Sequence, residues 1–276
     1  MKQYTICLSI AGSDPSGGAG VQADLKTFSA LGCYGQAVVA ALTVQNTAEV
    51  RSCHKLPAAW VGDQIEALFE DVMPQAVKIG MLGDAAMVRK VTEMVKKYHP
   101  PFVVVDPVMA STSGAELLSC EARGVMLREL LPLADLVTPN LPELRMLTEW
   151  KEEPQLSAMA RMLSEACGGV AVLAKGGHSH LPADDGRVVD YLYYKGNVRA
   201  YAAKRVATKN THGTGCTLSS AIAAYVALGN PLPRAVRMAK NYLTRALAAG
   251  ADCQGWRGPG PVNHFFQPRK QAIYDF

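Results

Sequence analysis

The stretch KNTHGTGCTLSSAIAAYVALG, Lys209–Gly229, commits the chain both to a fold and to a chemistry. Leu218, Ile222, Tyr225 and Val226 recur at helical spacing, which predicts a helix from near Gly215 to the stop glycine Gly229. In the loop before it, Gly213 and Gly215 let the backbone turn tightly and approach a ligand, with amide groups aimed the same way. Such a helix start favours negative charge, so a phosphate is expected over Gly213, Thr214, Gly215 and Cys216. Cys216 then stands in the first turn, where the helix end lowers a thiol's pKa and makes it a candidate base or nucleophile. A glycine N-cap followed by a small buried cysteine is the alternative for this loop taken alone.

Outward from this helix, short β-rich runs alternate with helical patterns. Tyr4 to Ala11, Gln36 to Val44, Val77 to Ile79, Phe102 to Asp106, 134–137 and 170–174 read as strands, and 188–193 with 198–206 as a hairpin-like pair. Helices are expected at 17–31, 58–72, 84–98, 119–131, 140–149, 154–166, 215–228 and 232–250. Continuous apolar strands between amphipathic helices predict an α/β protein with a mostly parallel sheet covered on both faces. No composition shift marks a boundary, so residues 1–276 are expected to form a single domain.

Composition narrows the function classes. A chain of 276 residues buries roughly 75% of the surface its unfolded form exposes, so a large core is available. A net charge of +4, evenly spread, gives no nucleic-acid footprint. No apolar run reaches the ~20 residues of a membrane span, and MKQYTICLSIAG runs into a glycine-rich loop without a signal-peptide cleavage site. Seven scattered cysteines, none in a C-x-x-C pair, suggest neither a zinc site nor a disulfide framework and point to the cytoplasm.

Ligands of open α/β sheets bind beyond the carboxyl ends of the strands, and the polar, glycine-rich sequences cluster there. The loop Gly12–Gly20 follows the first strand; Gly18, Gly20 and Ala23 match a dinucleotide fingerprint, but no Asp or Glu lies between Leu25 and Thr47 to bind a ribose. A P-loop is excluded by the absence of any Gly-Lys dipeptide. The loop therefore reads as a substrate-side wall, with Asp24 either facing the pocket or solvated on its helix. Asp106 ends the FVVVD strand, and Asn140 and Glu143 share a face at a helix start; such oxygen ligands suit Mg²⁺, unless Asn140 is a simple N-cap. Lys175, ending a buried strand before two glycines, is placed for a nucleotide phosphate. In the exposed stretch 178–186, His178 and His180 read as a solvated loop rather than a metal site.

AGSDPSGGAGVQADLKTFSALG, VQNT, VKIGMLG, VDPVM, TPNLPE, KGGH, KNTHGTGCTLS and GPVNHF occur in the order seen in the hydroxymethylpyrimidine/phosphomethylpyrimidine kinases of thiamine biosynthesis, which the chain resembles over nearly its whole length. The resemblance implies a ribokinase-like three-layer α/β/α sandwich that uses ATP and Mg²⁺ as a homodimer. It implies transfer of the γ-phosphoryl group to 4-amino-5-hydroxymethyl-2-methylpyrimidine and again to the monophosphate. The pyrimidine would lie among Gly12, Asp24, Gln45, Met81 and Val108, with Cys216 near the reacting hydroxyl. Lys175, Asn140, Glu143 and the glycines of 213–215 would serve ATP and Mg²⁺. Gln45 can both donate to and accept from an aminopyrimidine edge. Thr112 stands where relatives commonly carry a lysine in an A-K-S-G pattern. A pyridoxine or pyridoxal kinase on the same scaffold is the nearest rival; a nicotinamide-dependent oxidoreductase and a non-catalytic phosphate sensor are the rivals from other classes.

Overall fold

Strand sequences alternate two faces, and the two faces fill two separate cores. In β2 (Ile6–Ser13) Leu8 and Ile10 face one way while Cys7 and Ser9 face the other; in β5 (Ala76–Ile79) Val77 and Ile79 oppose Ala76 and Lys78. The same alternation divides Val103 and Val105 from Val104 in β6 (Val103–Val105). This period of two, with both faces apolar, is the signature of a sheet buried between helix layers.

The computed structural model describes residues 2–110, 114, 117–152, 155–177 and 186–275. Further strands are β1 (Lys2–Tyr4), β3 (Tyr34–Gln45), β4 (Val50–Lys55), β7 (Leu136–Val137), β8 (Ala171–Ala174), β9 (Arg187–Tyr194), β10 (Asn197–Lys204) and β11 (Ile273–Asp275). Nine of them form one sheet in the order β10-β9-β8-β7-β6-β5-β2-β3-β4, while β1 and β11 pair separately. The six strands from β8 to β3 are mutually parallel; β4, β9 and β10 join antiparallel at the edges. The helices are α1 (Gly20–Ala30), α2 (Ala58–Asp71), α3 (Ala85–Tyr98), α4 (Cys120–Val125), α5 (Leu141–Thr148), α6 (Leu156–Ala166), α7 (Thr214–Ala227) and α8 (Leu232–Ala249). Helices α1, α7 and α8 fill the core on the Cys7 and Val104 face, and α2 to α6 the core on the Leu8 and Val105 face. The expected three-layer α/β/α sandwich is what forms.

Two expectations need correction. The helix predicted at 119–131 is broken: α4 passes into a π-helical turn at Met126–Leu130 and a 3-10 turn at Leu131–Leu133, where Pro132 has no N–H to continue the ladder. The edge strand β4 is absent from the sequence reading. Its residues are nearly all exposed, so VRSCHK carries no apolar pattern. Thr112 and the histidines 178 and 180 lie outside the described residues.

β2 sits between β3 and β5, and successive connections leave it in opposite directions. That reversal creates a crevice beyond its carboxyl end. Gly12, near the carboxyl end of β2, and Met81, Asp106, Asn140 and Lys175, which follow the carboxyl ends of parallel strands, line the rim of this crevice.

Candidate active site

Gly213 caps α7 in the left-handed conformation, φ 77°, and a β-carbon there would fall inside the Gly18 carbonyl oxygen. The two glycine loops are therefore pressed together, backbone on backbone. A second link joins them: His212 Nε2 lies 2.7 Å from Asp14 Oδ2, and the same carboxylate accepts the Ser16 and Ala19 amides at 2.9 and 2.8 Å. Burial alone would raise the Asp14 carboxyl, but the His212 contact and these N–H donors outweigh it and hold it at about 2. Neither Asp14 nor His212 was singled out from the sequence, because each reads as one more polar residue in a loop.

Behind the loop lies a charged cluster. A β-carbon on Gly215 would stand 3.3 Å from Lys175 Nζ and 3.4 Å from Asp106 Oδ2, so Gly215, Lys175 and Asp106 meet at the helix start. Lys175 Nζ donates to Asp106 Oδ1 at 2.7 Å and lies 3.9 Å from Glu143 Oε2. Thr138 Oγ1 donates to the same Asp106 oxygen at 3.0 Å. Burial would raise the Asp106 carboxyl, yet the ammonium groups of Lys175 and Lys78 hold it below the usual range. Glu143 goes the other way: burial dominates and pushes it up to about 7. Asn140 and Glu143 form a reciprocal capping box on α5, with Glu143 N donating to Asn140 Oδ1 at 2.9 Å and Asn140 N to Glu143 Oε2 at 2.7 Å. The capping alternative for Asn140 is thus the one observed. Its backbone still pairs with Lys175 across a parallel bridge, which keeps it on the rim.

On the substrate side, a β-carbon on Gly12 would lie 3.1 Å from Met81 Sδ, so these two residues share one wall. Gln45 ends β3 at a bulge; Thr43 Oγ1 lies 3.2 Å from its Oε1 and 2.9 Å from the Ser13 carbonyl oxygen, which ties it to the same wall. Val108 stands half-buried just past Asp106, its N–H bonded to the Asp106 carbonyl at 2.8 Å. Asp24 departs from the expectation of a pocket-facing or solvated carboxylate. It is fully buried, accepting from Lys78 Nζ at 2.8 Å, Ser9 Oγ at 2.6 Å and Ser220 Oγ at 2.7 Å. Paired on every side, it is part of the floor.

Cys216 stands between two helix starts, since the Gly20 N–H of α1 points to its sulfur while its own backbone opens α7. The expected lowering of its thiol is overturned: burial, with Asp24 and Asp106 nearby, pushes it up to about 11 although Lys78 and the Gly20 N–H pull the other way. Desolvation outweighs the helix end. For a divalent ion, Asp106 Oδ2 beside Gly215 and the Glu143 carboxyl across Lys175 are the hard oxygen donors. Among the described residues no three His, Cys, Asp or Glu side chains are grouped to hold a metal by themselves. The donors fit Mg²⁺, an ion that keeps waters and takes much of its coordination from phosphates.

The family model for phosphomethylpyrimidine kinase matches residues 14–263. The hydroxymethylpyrimidine/phosphomethylpyrimidine kinase of Escherichia coli K12 is 44% identical over 262 residues, covering 94% of this chain and 96% of its own length. The thiamine biosynthesis bifunctional protein ThiED of Geobacter sulfurreducens is 45% identical over 259 residues; the match takes in 93% of this chain but only 51% of that protein, so the chain spans about half its length. Among solved structures, phosphomethylpyrimidine kinase from Clostridium difficile 630 is 44% identical with a TM-score of 0.75, covering 88% of this chain and 99% of that one. A pyridoxal kinase from Staphylococcus aureus in complex with AMP-PCP and pyridoxal is 29% identical with a TM-score of 0.84, covering 99% and 98%.

Proposed function

Since the chain belongs to the phosphomethylpyrimidine kinase family, we propose that the crevice beyond β2 moves the γ-phosphoryl group of ATP onto the hydroxymethyl group of 4-amino-5-hydroxymethyl-2-methylpyrimidine. The chain is a thiamine-biosynthesis kinase, and its monophosphate product is its second acceptor. The observation that carries the reading is the anion loop at Gly213–Cys216 seated on the Lys175–Asp106 pair: a helix start, a cation and a carboxylate meeting at one point.

The chemistry follows from that arrangement. The acceptor oxygen forms a bond to the γ-phosphorus as the bond to the bridging oxygen breaks, its electron pair leaving on ADP. The transition state is loose, so alignment and charge neutralisation supply most of the rate. Gly213, Thr214 and Gly215 offer amides to the transferring group, and Lys175 offers its ammonium to the nucleotide phosphates. Asp106 and Glu143 would hold Mg²⁺, which when bound neutralises phosphate charge. Burial raises the Cys216 thiol, so its thiolate is a minor but strongly basic form, and that form steers the acceptor hydroxyl and takes up its proton late, after O–P bonding has made that proton acidic. Gln45 addresses the amino edge of the pyrimidine, and Met81, Val108 and Gly12 enclose the ring.

Around this chemistry, residues 1–276 work as one catalytic unit in the cytoplasm, consistent with seven free cysteines and with no described helix long and apolar enough to cross a membrane. The unit acts as a homodimer, a reading supported by the exposed Leu42, Val44 and Trp60 beside the open β4 edge. The TM-score of 0.84 to a pyridoxal kinase makes pyridoxal the competing acceptor to test. ADP release should follow addition of the hydroxymethylpyrimidine and then of its monophosphate. Turnover with pyridoxal alone would overturn the assignment.

A further inference from the structure

Lys78 is fully buried, a charged residue inside the apolar run Ala76-Val77-Lys78-Ile79 of β5. Its ammonium reaches the level of Gly80, where a β-carbon would lie 2.8 Å from Nζ, next to the substrate-wall residue Met81. Asp24 supplies its acceptor at 2.8 Å, and that carboxylate is also held by Ser9 and Ser220. An ammonium carries three N–H groups, so Lys78 has donors beyond this one bond.

The helices show what lies above. Ser220 is four residues after Cys216 on α7, and Asp24 four residues after Gly20 on α1, so each pair stacks on one helix face. The lower members are bonded, Ser220 to Asp24, and the upper members meet through the Gly20 N–H and the Cys216 sulfur. Lys78, bonded to the lower carboxylate and close enough for its charge to act on the thiol, thus lies beneath Cys216. Stability gives little reason for a charge here. Burying an ion pair costs several kcal/mol per ion, and an apolar pair of similar volume is often as stable or more so.

We propose that Lys78 is a further functional residue of the kinase site, acting through Cys216: its ammonium is a fixed positive charge beneath the sulfur, and it stabilises the thiolate that receives the acceptor proton. A preorganised charge in a water-excluded site needs no reorganisation at the moment of reaction. The inference rests on the kinase reading, and the parent enzyme is the control for that. If the parent releases no ADP with the pyrimidine, the kinase reading fails; if the parent is active, the variants judge Lys78.

Lys78→Met alone leaves Asp24 buried and unpaired and will be unstable. The decisive variant is therefore Lys78→Met with Asp24→Asn, a neutral pair of nearly the same shape whose amide keeps hydrogen bonds to Ser9 and Ser220. The expected result is a melting temperature close to the parent's, a KM for the pyrimidine within about threefold, and a kcat lower by about 10²–10³-fold, the scale of losing one preorganised stabilising group. A kcat restored to the parent's value would show that the pair serves packing only. A double variant that fails to fold, or that changes KM alone, would equally overturn the proposal.

Discussion

Replacing Gly213 with alanine puts a methyl group at the closest backbone approach in the site. At φ 77° an L-residue costs roughly 1–2 kcal/mol, before any contact is counted. The new β-carbon would also overlap the Gly18 carbonyl oxygen, and atoms at that position prefer separations of about 3.5 Å. The loop at 12–20 and the anion loop must therefore part by about 1 Å or more. A displacement of that size at a reacting centre costs about 100-fold in rate. With about 2 kcal/mol of strain and roughly 2–4 °C per kcal/mol in a chain this long, the melting temperature should fall by about 4–8 °C. Steady-state kinetics with ATP and the pyrimidine, beside calorimetry, give both numbers. Gln45 lies on β3, outside the displaced loops, but Gly12 belongs to the loop that moves, so KM for the pyrimidine should rise as well, by less than kcat falls. A variant that melts lower yet keeps a kcat within about threefold of the parent would refute the link between this backbone contact and transfer; an unchanged melting temperature would refute the strain.

Lys175→Met strands Asp106 and Glu143 without their cation; it should raise KM for ATP at least tenfold and destabilise by about 3 kcal/mol, the scale of breaking a buried pair, as read by nucleotide titration and thermal melts. His264, whose Nε2 lies 3.0 Å from Thr217 Oγ1 in the first turns of α7, is pushed down to about 4 by burial, with Lys26 adding to it. In the unfolded chain the same imidazole titrates near 6.5, so between the two values the unfolded state binds the extra proton. Its contribution is complete above about pH 6.5 and is lost as pH falls towards 4, at most about 3 kcal/mol. His264→Gln should flatten that part of the stability–pH curve in denaturant titrations, and an unchanged slope would show that another group causes it.

The parts of this protein that a linear reading recovers are those where one segment carries its own signal. FVVVD announces a buried strand ending in a carboxylate, HGTGC announces a helix start, and both lie where expected. β4 was missed because an edge strand needs no apolar face, and β1 with β11 because three residues hold no period. Asp24 was misplaced for a different reason: a carboxylate one turn into a helix looks solvent-facing until the lysine of a distant strand is brought beneath it. Lys78 did leave a trace, a charge between Val77 and Ile79 where a buried strand should have none. The thiol of Cys216 shows the limit of local rules, since the helix start pulls its pKa down while the buried surroundings push it further up.

The claim that Cys216 stands beside the transferring group is tested most directly by single-turnover transfer in Cys216→Ala, with pyrimidine binding measured on the same preparation. The account predicts a transfer step slower by about 10²-fold or more, the usual worth of a positioned proton acceptor, with binding of the pyrimidine nearly unchanged. Transfer at the parent's rate, or a loss confined to binding, would contradict it.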